Sequence, residues 1–181
     1  MRKLSFLPAV AVVAALCTAP AVAGKADSQL ASGGFFLWLT DAGTATCVNG
    51  TRTAWFPPCS PGTHNSIWRN FVGAMQFAGV DGDAASFFTG IWAMPGNCNL
   101  DENLVGACWG TFQGEALGGT WEGTWSGKLD FVRFGGDLRF VGLGTGGGVE
   151  GLHVNVEAVG EGSADEYAPM PFTARVFNVE Q

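Results

Sequence analysis

The sequence predicts an all-β chain: a single antiparallel up-and-down β-barrel of about eight strands, with a β-sandwich as the alternative. Three observations predict it. From residue 35 onward, short apolar or alternating segments follow one another, each broken by Gly, Asn, Asp or Pro, and evenly spaced short strands are the mark of barrels and sandwiches. No amphipathic helix persists over any stretch. The 28 Gly among 181 residues follow no three-residue period and come with only 8 Pro, which excludes a collagen-like chain. A hydrophobic share of 47%, with 7 Trp and 14 Phe, is enough to fill one core, and the length suits one domain.

The chain opens on an address. Arg2 and Lys3 precede an almost wholly apolar run over residues 4–16, Pro20 breaks it, and Ala21-Val22-Ala23 is an A-x-A cleavage signature. This reads as a Sec-type signal peptide, residues 1–23, removed after Ala23. The run falls short of the roughly 20 residues that span a bilayer, and Leu16 before Cys17 does not suit lipid attachment. Cleavage takes away two positive charges and no acid, so the remainder is more acidic than the whole chain at −7. Such a balance disfavours nucleic acid, whose phosphates need a basic surface. The expectation is a protein with no membrane span after cleavage, secreted or periplasmic. Residues 24–34 are expected to be a flexible segment and residues 35–181 the barrel.

Four cysteines follow the signal: Cys47, Cys59, Cys98 and Cys108. An even number in an exported chain reads as a disulfide framework with three connectivities. Local spacing favours 47–59 and 98–108, each contributing roughly 2–3 kcal/mol by the chain-entropy argument. Their expected role is to pin long loops to strand ends. A zinc site with His64 or His153 is disfavoured because the cysteines lack close C-x2-4-C pairs. Neither a metal nor a cofactor is expected.

The strands are read in order. Residues 35–39 form an aromatic run of strand length, and residues 41–66 a long excursion held by the first disulfide. Residues 67–77 make a strand, although Trp68, Phe71 and Met75 also fall at helical spacing. Asp81-Gly82 signals a hairpin, followed by a strand over 86–94. Residues 108–116 and 120–129 flank Gly118-Gly119 as a hairpin, with Trp121, Gly123, Trp125 and Gly127 on one face and Glu122, Thr124 and Ser126 on the other. A second hairpin joins 129–134 to 138–143 around Gly135-Gly136, and a third leads through residues 144–148 into 151–159. There Leu152, Val154 and Val156 alternate with His153, Asn155 and Glu157. Residues 172–179 close the chain. Gly within these strands permits tight coiling and the close packing of a facing ring.

The run Cys108-Trp109-Gly110-Thr111-Phe112, then Gly119-Thr120-Trp121-Glu122-Gly123-Thr124-Trp125-Ser126-Gly127, then Gly142-x-Gly144-x-Gly146 leading to Glu150-Gly151-Leu152, resembles a core of secreted bacterial proteins. Its pattern is similar to that of allene oxide cyclase-type, calycin-like barrels. The resemblance covers roughly residues 85–180 and rests on structural glycine–aromatic motifs. It implies a closed barrel, and it brings no catalytic residue, since no cyclase active-site motif matches positions here. The signal and the cysteine loops depart from the cytosolic or plastid enzymes of that fold.

Several residues stand out as site candidates, each beside a plainer reading. Residues 142–147 satisfy G-x-G-x-x-G, but a period-two strand follows where a dinucleotide fingerprint requires a helix, so they read as a turn. His153 and Glu157 would serve as a general acid–base pair, with Asn155 beside them, if their face lined the lumen; facing solvent, they are ordinary outward residues. His64 reads as a solvated loop residue. Asp81-Gly82-Asp83 and Asp101-Glu102-Asn103 gather oxygen ligands, although turns favour these residues for backbone reasons. Asn49-Gly50-Thr51 matches a glycosylation sequon, relevant only in a eukaryotic secretory pathway. Trp121 and Trp125 read as core, and Trp38, Trp92 and Trp109 lie in apolar contexts. Trp55 and Trp68 flank the first disulfide loop and are candidates for an exposed binding surface. No G-x-S-x-G is present, and no Ser can be matched to a base.

Three functions follow. The first is a secreted, non-enzymatic barrel binding a small apolar, amphipathic or carbohydrate ligand, or a partner, at its mouth. The second is a cyclase- or isomerase-like enzyme using the lumen. The third is a structural or protease-inhibitory surface protein whose contact element is the loop 47–59. The pleat and the filling of the lumen discriminate among them.

Overall fold

The computed structural model describes residues 28–48, 65–133, 135–161 and 169–178. Among these the regular structure is nine strands and two single 3-10 turns: β1 (Gln29–Asp41), β2 (Thr44–Cys47), β3 (Ser66–Asp81), β4 (Ile91–Leu100), β5 (Val105–Ala116), β6 (Gly119–Asp130), β7 (Gly135–Thr145), β8 (Leu152–Gly160) and β9 (Met170–Asn178). Each strand from β3 to β9 pairs antiparallel with the next. β1 then pairs with β9 through residues 29–35 and with β3 through residues 32–41. Pairing both edges of one long strand closes an eight-stranded barrel, which leaves no sheet edge open along that stretch. The fold is therefore the expected barrel rather than a sandwich. β2 is an additional short strand that runs on along β3 beyond the end of β1, pairing 44–47 with 66–69. Between the two pairings β3 bulges at Asn70, whose φ is 55°.

Several boundaries differ from the expectation. Residues 29–34 belong to β1 rather than to a flexible segment, because β9 supplies a ladder that the local sequence cannot reveal. Residues 86–94 do not form one strand: Ala85–Phe87 is a 3-10 turn and β4 starts at Ile91. Gly135 and Gly136 lie in β7, paired with Asp130 and Leu129. The chain turns instead at Phe131, Val132 and Arg133, whose turn amides at 132 and 133 are held by Asp130 Oδ1, each at 2.9 Å. The Cys98–Cys108 disulfide forms as expected. It does not pin a long loop, however: the two cysteines are direct cross-strand partners of β4 and β5, buried in the wall. Cys47 is also disulfide-bonded, while Cys59, His64, Trp55 and the signal segment lie outside the described residues.

Period-two alternation decides what the barrel holds. In β4 Trp92, Met94, Gly96, Cys98 and Leu100 point inward, and in β7 Leu138, Phe140, Gly142 and Gly144 do. Their rings meet end to end along the barrel. Phe88 stacks on Trp92 at 5.9 Å, Trp92 on Phe112 at 5.4 Å, and Phe112 meets Phe140 edge-on at 5.8 Å. The series goes on through Trp125 (6.4 Å), Phe71 (6.1 Å) and Trp68 (6.2 Å) to Phe131 (5.0 Å). Each contact falls within the range where aromatic pairs attract, adding about 0.5–1.5 kcal/mol beyond burial. Glycine makes room for this spine. The Trp92 ring lies directly on Gly114, and Phe112 reaches the backbone at Gly123 and Gly142, where any Cβ would overlap it.

The outer wall is of two kinds. Over β6–β9 it carries exposed Glu122, Lys128, Asp137, Arg139, Glu157 and Arg175. Lys128 stands opposite Asp137 and Arg139 opposite Glu157, the arrangement in which cross-strand charges support a sheet. Over β1, β3, β4 and β5 the middle of the wall is uncharged, with Trp38 opposite Ala74 and Ala74 opposite Ala93. Over β6–β9 the apolar interior lies behind a charged wall, the inverse of the lipid-facing pattern of a membrane barrel. Among the described residues no helix is long and apolar enough to cross a membrane.

Candidate functional site

The residues singled out from sequence do not converge. His153 and Asn155 are partly exposed and Glu157 is exposed, while Val154, Val156 and Ala158 take the inward positions of β8. The polar face thus points away from the interior, and His153 stacks on its cross-strand neighbour Phe177 at 5.6 Å. An acid–base pair in the lumen is overturned by this pleat. Trp68 is not a surface ring: it is 1% exposed and packs in the spine. Residues 142–145 of the G-x-G-x-x-G run lie within β7 rather than in a turn, and only Gly146 and Gly147 belong to the β7–β8 connection. Asp101 Oδ1 accepts from the N–H of Asn103 at 2.8 Å and of Val105 at 3.0 Å, so that acidic cluster shapes the β4–β5 turn. Among the described residues no three His, Cys, Asp or Glu side chains gather as metal ligands would.

What remains are the two ends of the barrel. At the end where β4 starts, the segment after β3 folds back across the opening. Ala84, Phe87 and Phe88 are buried there. The Ala84 N–H donates to Leu30 O at 3.0 Å, and Trp121 Nε1–H donates to Phe87 O at 3.3 Å. A hollow of about 390 Å³ lies beside this end, against the tight β5–β6 turn, lined by Thr89 and residues 115–120.

The opposite end carries the disulfide-bonded Cys47 and a hollow of about 470 Å³. Its apolar lining is Val48, Ile67, Leu100 and Val105; its polar lining includes Ser66, Arg69, Asn99 and Asp101. Ser66 is 1% exposed and its hydroxyl has no hydrogen-bond partner, a buried polar group of the sort that costs about 1–3 kcal/mol. Arg69 extends from β3 next to the bulge. Its Nη1 donates to Trp68 O at 2.7 Å and Cys98 O at 3.0 Å, and its Nη2 donates to Asn99 Oδ1 at 2.8 Å. The guanidinium also lies over the half-exposed ring of Trp109, 5.4 Å from its centroid, a favourable cation–π placement. It makes no ion pair with any described carboxylate; both described ion pairs belong to Arg133.

Arg69, Asn99 and Trp109 were not legible as a group. A strand over 67–77 does place Ile67 and Arg69 on one face and Trp68 on the other, but alternation does not say which face is inside. Asn99 and Trp109 join Arg69 only through the pairing of β3 with β4 and of β4 with β5.

Fold and site together define a closed antiparallel β-barrel with a ring-filled interior and one contoured, disulfide-bearing end. Compared with protein-family models, curated proteins and solved structures, the chain gives no match.

Proposed function

We propose that this is an exported binding protein that takes a small amphipathic ligand, or a partner, at the disulfide-bearing end of the barrel. The observation that carries the reading is the contrast between the interior and that end. The axis is occupied by the ring spine from Phe88 to Phe131, which leaves a ligand the hollows at the ends of the barrel. The hollow beside Arg69 combines apolar walls with a fixed cation and amides, the mixture that orients small molecules in binding sites. Export is supported by the two disulfide-bonded cysteines of the wall and by Cys47, since such bonds persist in oxidising compartments. The likeness to allene oxide cyclase-type barrels belongs to the same proposal as a statement about architecture; fold analogy carries no activity. A contact made by the loop beginning at Cys47 is the second reading, favoured because Val48 and Asn65, the described residues on either side of it, line this hollow.

Native mass spectrometry of protein purified from its exported form tests the proposal. A co-purified molecule, lost on substitution Arg69→Ala while the fold is retained by circular dichroism, supports it. A co-purified molecule retained by that variant, with amide shifts on the β6–β9 wall, would sink it.

A further inference from the structure

We infer that the hollow beside Arg69 binds a small aliphatic carboxylate, with Arg69 as its anchor; this rests on the proposed binding role of that end. A guanidinium has five N–H donors. Three are committed, to Trp68 O, Cys98 O and Asn99 Oδ1. The two left over, on Nε and Nη2, belong to adjacent nitrogens of one fork, and a carboxylate takes such a pair through both oxygens. The bonds to two backbone carbonyls and the Trp109 ring hold the fork in place before any ligand arrives, which lowers the ordering cost of binding.

Charge and shape agree on the ligand. In a chain of net charge −7, Arg69 is a cation without a described carboxylate partner. Asp101 also lines the hollow and keeps its negative charge. The amides of Asn103 and Val105 that donate to its Oδ1 hold it at the β4–β5 turn and offset part of that charge, so the ligand's carboxylate is assigned to the Arg69 side of the hollow. Val48, Ile67, Leu100 and Val105 provide an apolar surface beside the cation, which suits a hydrocarbon body better than a polyhydroxylated one. The volume, about 470 Å³, lies in the range of small-molecule sites, roughly 300–1,000 Å³.

The test is an NMR titration of the intact protein with octanoate, methyl octanoate and galacturonate. Octanoate is expected to shift the amides of Ile67, Arg69, Asn99 and Val105 saturably, and methyl octanoate to bind about tenfold or more weakly, as loss of a charge-assisted pair implies. Arg69→Lys keeps the charge and loses the fork, so octanoate binding drops about fivefold or more. Because that variant also releases the Trp68 and Cys98 carbonyls, Val48→Asp supplies the second arm. It sets an acid at the rim on a half-exposed position and is expected to weaken octanoate about tenfold at unchanged Tm. An ester that binds as tightly as the acid overturns the carboxylate anchor. Galacturonate binding without octanoate overturns the aliphatic body. No shift at these amides with octanoate overturns the inference outright. The broader proposal fails separately, when a co-purified molecule shifts amides elsewhere.

Discussion

At one end of the barrel Phe87 and Phe88 turn inward and seal the opening, whereas towards the other, aspartates hold turns, and one of them, Asp101, lines a hollow. The sealed end is closed by burial: Phe88 touches Trp92, Phe77 and Phe172, and Val149 from the second 3-10 turn is fully buried. The other end also buries Leu104 and packs Phe131 on Trp68, but its turns are set by polar groups. Asp41 Oδ1 accepts from the Gly43 N–H at 2.8 Å, and Asp101 and Asp130 do the same for the turns that follow them. Carboxylates that cap turns keep backbone in fixed positions without filling space. The difference separates closure, which apolar rings provide, from the preparation of a contact surface, which they would obstruct.

The largest effect that distinguishes the ends should come from Phe88→Ala, which removes a buried ring from the seal and is expected to cost about 3–5 kcal/mol by urea unfolding. Val48→Ala, at the rim of the hollow, should change stability by less than about 0.5 kcal/mol. Equal costs would mean that the seal is not what closes the barrel. Next in size is the pair Cys98→Ser and Cys108→Ser, expected to lower stability by roughly 2–3 kcal/mol in calorimetry. Since both cysteines are 1% exposed or less, the native bond should resist mild reductant until the barrel opens.

Tryptophan substitutions sharpen the comparison further. Trp125 Nε1–H donates to Pro95 O at 3.3 Å, whereas the buried Trp92 Nε1 has no acceptor. Trp125→Phe should therefore cost about 1 kcal/mol more than Trp92→Phe, beyond what the ring sizes alone predict. Parity between the two would show that the Pro95 bond adds nothing. The smallest effect is a gain. Leu117 stands in the β5–β6 turn at φ 50°, with Gly118 at φ 74°, a two-residue turn that prefers Asn before Gly. Leu117→Asn is expected to raise stability by about 0.5–1 kcal/mol, seen as a higher urea midpoint.

Much of the wall was legible because strand alternation is local. Trp121 and Trp125 read as inward because each is flanked by exposed polar residues at period two, and they are buried. The 98–108 disulfide was legible for a similar reason: one turn lies between its cysteines. His153, Asn155 and Glu157 mark where this stops. Their alternation with Val154 and Val156 was evident, but which side of β8 faces the core depends on β7 and β9. The Ala85–Phe87 turn was missed because Phe87, Phe88 and Trp92 share the apolar content of a strand, and only their packing across the opening distinguishes a plug from a ladder.

The sequence by itself determined that this chain is a glycine- and ring-rich antiparallel β structure, with a local disulfide and turns at Gly and Asp. These are consequences of near neighbours: pleat, turn chemistry and loop closure over short distances. Tertiary structure alone decided that β1 pairs on both edges, that the rings join into one spine, and that Arg69, Asn99 and Trp109 meet beside a hollow. Each of those depends on contacts between distant strands, and barrel closure fixes them all at once through a single register.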